Sequence, residues 1–128
     1  MAQDEIHQGS CRCGRVTFAA GGDPNFVSAC HCESCRRSTG AAFSVWAGFS
    51  DAAVEWRGET RASFDGAPGV RRGFCKSCGT PLSYQSDQWP GETHLLIGTF
   101  NDPSPFSPRS DYRIEERLAW VKPVVEKV

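Results

Sequence analysis

Seven cysteines are the residues of this 128-residue sequence that are best suited to chemistry. They occur in three groups, with one or two residues between neighbours in each group. An odd number of thiols cannot all pair in disulfides, and Cys-x-Cys neighbours are poorly placed to bond each other. Thiolates at such short spacings can instead bind one metal ion together, and zinc is the ion that they usually hold. The sequence therefore predicts zinc sites, with buried free cysteines or a redox pair as the alternatives.

The cysteines divide into a set of four and a set of three. A structural zinc has four protein ligands, whereas a catalytic zinc usually has three and keeps its fourth position for water or substrate. The first and last groups would form a closed structural site, here called the clasp: Cys11, Cys13, Cys75 and Cys78. The middle group would form an open, reactive site, here called the triplet: Cys30, Cys32 and Cys35. Zinc in the triplet would be a mild Lewis acid, because three thiolates already donate charge to it, and it could bind a thiol.

Spacing alone does not identify a fourth ligand for the triplet. A second closed site, completed by His7, His31 or His94, is therefore an alternative. The side chain of His31 is expected to point away from its two cysteine neighbours, in a surface contact or a backbone hydrogen bond. His94 stands within an apolar run and is expected to be a packed histidine.

The charge and hydropathy of the chain argue against nucleic-acid and membrane partners. Lys and Arg number 14 and Asp and Glu number 15, so the formal net charge is -1 and offers no bulk attraction for nucleic acid or anionic lipid. No stretch approaches the ~20 apolar residues of a membrane span, and the first eight residues lack a signal-peptide core. We expect a cytoplasmic protein that is a monomer or a homodimer.

Short runs with alternating apolar residues predict a mainly β protein with very little helix. Strands are expected at 16–18, 43–49, 54–56, 61–64, 70–74, 82–84, 93–100 and 112–115. The one short helix is expected at 32–38, because this polar run lacks Gly and Pro and is followed by Thr39 and Gly40. Three prolines in 101–110 predict an irregular loop. The length fits a single domain over 1–128, with its core at about 6–122.

Three motifs resemble those of a known family. They are GSCRCGRVTF at 9–18, CHCESCRRSTG at 30–40 and FCKSCGT at 74–80, with weaker likeness at 97–101 and 118–121. Their order and spacing resemble the glutathione-dependent formaldehyde-activating enzyme family, which is also called the centromere-protein-V-like domain. The resemblance implies an Mss4-like fold of antiparallel β-sheets with zinc-binding loops. It also implies two zinc ions per chain, a structural one on the clasp and an open, exchangeable one on the triplet.

The resemblance further implies a carbon-sulfur lyase-type enzyme. Such an enzyme condenses glutathione, or a related thiol, with formaldehyde or another small aldehyde to an S-hydroxymethyl adduct. Its catalytic residues would be the triplet: Cys30, Cys32 and Cys35. The alternative is a noncatalytic zinc-binding module for a protein or small thiol ligand, because a fold does not carry an activity with it.

Substrate contacts are expected next to the cysteine motifs. Arginines favour bidentate pairing with carboxylates, and hydroxyls and exposed amides can orient a ligand. The candidates that directly follow the triplet are Arg36, Arg37, Ser38 and Thr39. Further basic candidates are Arg71, Arg72 and Lys76. Solvated surface arginines and ordinary helix termination are the alternative explanations of these residues.

Overall fold

The computed structural model describes residues 5–125, and within them the chain forms ten strands, one α-helix and three 3-10 turns. The first five strands are β1 (Ile6–Ser10), β2 (Val16–Gly21), β3 (Phe26–Cys30), β4 (Ser44–Ser50) and β5 (Val54–Gly58). The last five are β6 (Ala62–Ala67), β7 (Val70–Phe74), β8 (Pro81–Ser86), β9 (Glu92–Leu96) and β10 (Ser110–Tyr112). The helix α1 is Glu33–Thr39, and the 3-10 turns are Asp51–Ala53, Ile97–Thr99 and Ile114–Glu116. The expectation of a mainly β fold is thereby confirmed.

The strands form two sheets. A three-stranded sheet has the order β1-β2-β5, and a seven-stranded sheet has the order β10-β3-β4-β9-β8-β7-β6. Neighbouring strands run antiparallel, except that β10 lies parallel to β3. No helix within residues 5–125 is long and apolar enough to cross a membrane.

The strand β4 shows that the two faces of the seven-stranded sheet have different surroundings. Successive side chains of a strand point to opposite faces. Val45, Ala47 and Phe49 pack in the main hydrophobic core, together with residues of the three-stranded sheet such as Phe18. Trp46 points to the other face and packs against the triplet cysteines. One face of the sheet therefore makes the core, and the other face is available for a site.

The predicted helix is confirmed, and its ends have local causes. The Cys32 sulfur accepts the amide N–H of Cys35 at 3.3 Å and caps the first turn. Gly40 ends the helix in the left-handed region, with φ 74°, and its N–H bonds to the carbonyl of Arg36. The predicted loop at 101–110 is confirmed up to its last residue, which begins β10.

The strand predictions are wrong at four places. β1 and β3 are not among the predicted strands: β1 buries His7 and Gly9 instead of large apolar residues, and β3 is buried on both faces and does not alternate. The run 93–100 is strand only as far as Leu96, because the Phe100 N–H bonds back to the carbonyl of Ile97 and closes a 3-10 turn. The run at 112–115 contains the end of β10 and the start of another such turn.

Gly9 is needed where β1 passes close to the core. A Cβ atom at this position would meet the ring of Phe18 and the backbone carbonyl of Thr99, neither of which can move cheaply. We expect Gly9→Ala to lower the free energy of unfolding by about 1–3 kcal/mol, as overpacking does elsewhere. Gly98→Ala is the matched control, because nothing lies within 4 Å of its added Cβ. Denaturant midpoints at fixed zinc would measure both, and equal midpoints would contradict the prediction.

Candidate functional site

The clasp cysteines converge from two turns, one in each sheet. Cys11 and Cys13 lie between β1 and β2, and Cys75 and Cys78 lie between β7 and β8. Their four sulfur atoms lie within 4.8 Å of one another. The Cys11–Cys13 and Cys13–Cys75 sulfur distances are 3.6 Å and 3.8 Å. Four sulfurs at the Zn–S distance of about 2.3 Å would stand about 3.8 Å apart in a tetrahedron, so the clasp fits zinc.

Both turns of the clasp depend on glycine and on backbone hydrogen bonds. The Gly14 N–H bonds to the Cys11 carbonyl, and the Gly79 N–H bonds to the Cys75 carbonyl. Both glycines have positive φ, 81° and 80°, which a side chain would disfavour. Thr80 joins the two turns, because its hydroxyl accepts the N–H of Arg12 at 3.0 Å. Local hydrogen bonds and glycines therefore shape each half of the clasp.

The triplet is built where β3 passes into α1. Cys30 ends the strand, Cys32 caps the helix, and Cys35 lies in the helix. The sulfur of Cys30 lies 3.3 Å from that of Cys32 and 3.4 Å from that of Cys35. Cys30 and Cys35 are buried, whereas Cys32 is half-buried. Three convergent sulfurs with no fourth ligand among residues 5–125 match a zinc site with an open position.

Hydrogen bonds shift the pKa values of the triplet thiols in different directions. Bonds from the Cys30 and Cys35 sulfurs, with the Cys35 amide and the charge of Arg72 added, lower the pKa of the Cys32 thiol well below its usual range. The same sulfur contacts, together with burial, raise the pKa of Cys30. Cys32 is thus the first triplet thiol to become a thiolate, which is the form that binds metal.

Arg72 is a buried cation beside the triplet. It is 5% exposed, and its Nη2 donates to the Ser34 hydroxyl at 3.0 Å and to the Cys35 sulfur at 3.7 Å. Its guanidinium lies over the Tyr84 ring, 4.9 Å from the centroid. Among the described residues it pairs with no carboxylate, and its Nε has no hydrogen-bond partner. A buried charge needs compensation, and the Cys32 thiolate is the group of the triplet that can supply it.

His31, which lies between Cys30 and Cys32 in the chain, is buried and hydrogen-bonded. It is 1% exposed, its Nε2 lies 2.8 Å from Asp111 Oδ1, and its ring stacks on Phe43. Burial opposes ionisation of Asp111, but the bonds from His31 and from the amides of Val124 and Val125 lower its pKa overall. The expected surface or backbone contact of His31 is therefore wrong, because β10 brings a carboxylate to it. His31 does not join the convergent ligand atoms of the triplet, as expected.

The other histidines do not join the triplet. His7 contacts the carbonyl of Gly22 at 3.1 Å. His94 is buried, and its Nε2 lies 2.9 Å from Glu92 Oε1. Burial lowers the pKa of His94 in spite of that carboxylate. His94 is a packed histidine, as expected, but it also faces the cavity described next.

A cavity of about 720 Å³, here called the chamber, opens beside the triplet. It lies on the face of the seven-stranded sheet that carries Trp46, and all three triplet cysteines line it. Its floor consists of residues that the strand register places side by side. Gly48 pairs with His94, His94 with Tyr84, and Tyr84 with Arg72. A ligand in the chamber would therefore reach the open side of the triplet.

The residues predicted to contact substrate mostly lie elsewhere. Of the predicted residues Arg72 lines the chamber, whereas Arg36, Arg37, Ser38 and Thr39 do not. Ser34, which was not predicted, also lines it. Arg37 pairs with Glu33 on the helix surface, and the Thr39 hydroxyl donates to the Cys35 carbonyl. Arg71 points to the opposite face and pairs with Asp87 at 3.2 Å. Direct substrate contact by the four residues that follow the triplet stays a prediction.

The two cysteine clusters predict different responses to mutation. Cys32→Ser is expected to reduce zinc from two ions per chain to one and to leave the fold intact, because only the open site loses a ligand. Cys13→Ser removes a clasp ligand and is expected to unfold the chain or lower its thermal midpoint sharply, since structural zinc binding contributes about 10 kcal/mol or more in small domains. Metal analysis and circular dichroism would measure both. One zinc per chain in the unaltered protein would contradict the division.

Arg72 should control how firmly the triplet holds zinc. Arg72→Met removes the buried compensating charge, and we expect zinc at the triplet to bind about 10- to 100-fold more weakly, in line with the loss of a charged hydrogen bond. Arg72→Lys should restore part of this affinity. Arg71→Met is the matched control on the outer face. Competition with a chelator would report the affinities, and equal zinc retention in the two Met variants would contradict the prediction.

Comparison with known proteins agrees with this geometry. The sequence matches the profile of the family described as glutathione-dependent formaldehyde-activating enzyme over residues 6–116, a span that includes every cysteine. No curated protein matches the chain at a significant level. A Rhodobacter sphaeroides protein of known crystal structure is similar in fold, with a TM-score of 0.62 and 17% identity over 81% of this chain and 98% of that chain. The chain therefore belongs to the glutathione-dependent formaldehyde-activating enzyme family.

Proposed function

We propose that this protein is a zinc-dependent carbon-sulfur lyase-type enzyme. It condenses glutathione, or a related thiol, with formaldehyde or another small aldehyde to an S-hydroxymethyl adduct. The observation that carries the proposal is the position of the triplet, whose three sulfurs converge at the wall of a chamber large enough for a small-molecule ligand. Family membership supports the same reaction class.

The proposed chemistry is an addition that needs no oxidant. The thiol sulfur forms a bond to the carbonyl carbon, the C=O π bond opens toward oxygen, and the thiol proton ends on that oxygen. Zinc held by the triplet would lower the pKa of a thiol and polarise a nearby oxygen. The cysteines hold the ion, and Cys32, half-buried at the helix cap, faces the chamber.

Two further residues of the chamber prepare the site for an anionic thiolate. Zinc with three thiolates carries a net charge of about -1, and the Arg72 guanidinium next to Cys35 offsets it. Without that cation, a thiolate ligand would approach an uncompensated negative centre. Burial lowers the pKa of His94, which also lines the chamber, and so favours a neutral imidazole whose Nε2–H donates to Glu92.

The test is the rate of adduct formation. Zinc-loaded protein is expected to accelerate the reaction of glutathione with formaldehyde above its spontaneous rate, as followed by the adduct signal in NMR spectra. Cys35→Ala should return the rate to the spontaneous one, because it removes a buried ligand of the open site. Arg71→Met, on the outer face, should keep the full rate.

The opposite outcome would identify the alternative function. If the metal-loaded protein neither accelerates adduct formation nor binds any small thiol, and Cys35→Ala changes nothing, the enzyme proposal is wrong. The chain would then be a noncatalytic zinc-binding module.

A further inference from the structure

Arg113 has a strained backbone conformation at the rim of the chamber. Its φ of 56° and ψ of 45° lie in the left-handed region, and within residues 5–125 it is the only residue other than glycine with positive φ. Side chains disfavour this region, so such a residue at the edge of a cavity points to a functional reason. The side chain lines the chamber and is 54% exposed, which places it at the rim.

The segment 112–116, here called the rim turn, is fixed to the strand and the helix that carry the triplet. Tyr112 pairs with Cys30 in the parallel register of β10 and β3, and its carbonyl accepts the N–H of His31 at 3.0 Å. At the other end, Glu116 Oε1 accepts a backbone N–H from the first turn of α1 at 3.1 Å. These bonds hold the backbone on both sides of the arginine. The arginine therefore stands one residue beyond a strand pair that contains a triplet cysteine.

The guanidinium of Arg113 is only loosely engaged. It lies over the Tyr112 ring, 5.6 Å from the centroid, and its Nη1 is 3.8 Å from Glu115 Oε2. That ion pair is long and both side chains are more than half exposed, so it contributes little. A guanidinium has five N–H donors, in a fork that matches a carboxylate. Arg113 therefore keeps donors free for a carboxylate partner.

The other charged groups of the chamber have tasks of their own. Arg72 is buried beside the triplet, where its charge offsets that of the thiolates. Each carboxylate that lines the chamber has a partner among the described residues. These pairs are Glu33 with Arg37, Glu92 with His94, and Glu116 with the backbone N–H of α1. The exposed cation at the rim is thus the group best placed to receive a carboxylate that enters from outside.

We propose that Arg113 binds a carboxylate of the thiol substrate and thereby selects glutathione over thiols that lack one. The inference rests on the proposed function and adds a specificity-determining residue to it. In glutathione the thiol belongs to the middle residue, and the two carboxylates lie several bonds away at the ends. With the sulfur at the triplet, one end reaches the rim, where Arg113 pairs with it. Arg113 takes no part in bond making, and the addition of sulfur to the carbonyl carbon is unchanged.

Two ligands that differ only in their carboxylates test the inference. The zinc-loaded protein is titrated by calorimetry with glutathione and with glutathione diethyl ester, in which both carboxylates are masked. The thiol is the same in both, so the ratio of the two dissociation constants reports the carboxylates alone. We expect glutathione to bind about tenfold more tightly than the ester, as the loss of a charged hydrogen bond implies.

Substitution of Arg113 should remove this preference. Asparagine tolerates the left-handed region, so Arg113→Asn keeps the rim turn while it removes the charge. We expect it to weaken glutathione binding about tenfold and to leave ester binding within about twofold. Arg113→Lys should retain part of the preference. Arg109→Asn is the matched control, because it removes a positive charge from the exposed segment before β10 and Arg109 does not line the chamber.

The inference is overturned if glutathione fails to bind, if glutathione and its ester bind alike to the unaltered protein, or if Arg113→Asn weakens both ligands equally. It is also overturned if Arg113→Asn and Arg109→Asn behave alike. Turnover is measured separately. Absence of adduct formation would overturn the proposed reaction, while the ratio of the two dissociation constants would still decide the role of Arg113.

Discussion

Mutual repulsion of closely spaced thiolates is the constraint on which the rest of this fold depends. Each cysteine cluster brings its sulfurs within 4.8 Å, an arrangement that is unfavourable for anions unless something positive stands among or beside them. At the clasp, each of the two turns contributes one buried and one exposed cysteine, and the turns belong to different sheets. A metal ion there would therefore also fix the sheets to each other. The contact joins residues 62 positions apart, which gives it a large effect on the freedom of the unfolded chain.

The two clusters meet this constraint differently. In the clasp, local turns and a backbone N–H from Val16 to the Cys11 sulfur prepare a set of four ligands that would complete the coordination of zinc. In the triplet, the protein contributes a helix-cap N–H and a buried guanidinium in addition to three sulfurs. That difference in supporting groups agrees with the proposed division, in which the clasp would hold the fold and the triplet would leave a coordination position free.

The sequence was sufficient to predict the features that depend on neighbours in the chain. The grouping of the cysteines, the helix after Cys32 and the alternation in β4 all follow from spacing within a few residues. It was not sufficient for the contacts of Arg72 and His31, because these depend on partners 37 and 80 residues away. Arg71 and Arg72 are neighbours of the same residue type, so the sequence alone does not distinguish them. Successive side chains of β7 point to opposite faces of the sheet, which places Arg72 at the chamber and Arg71 on the outer face.

The hydrogen bond between His31 and Asp111 has a consequence for protein synthesis. A ribosome makes the chain from the N-terminus, so all three triplet cysteines are synthesised well before Asp111, whose carboxylate bonds to His31. The clasp needs only the chain up to Cys78. The contacts of His31 next to the triplet are complete only after β10, which carries Asp111, and the amides of Val124 and Val125, which bond to Asp111, have been synthesised. During translation, the clasp can therefore assemble first, and the triplet thiols gain their full set of contacts among the last events of folding.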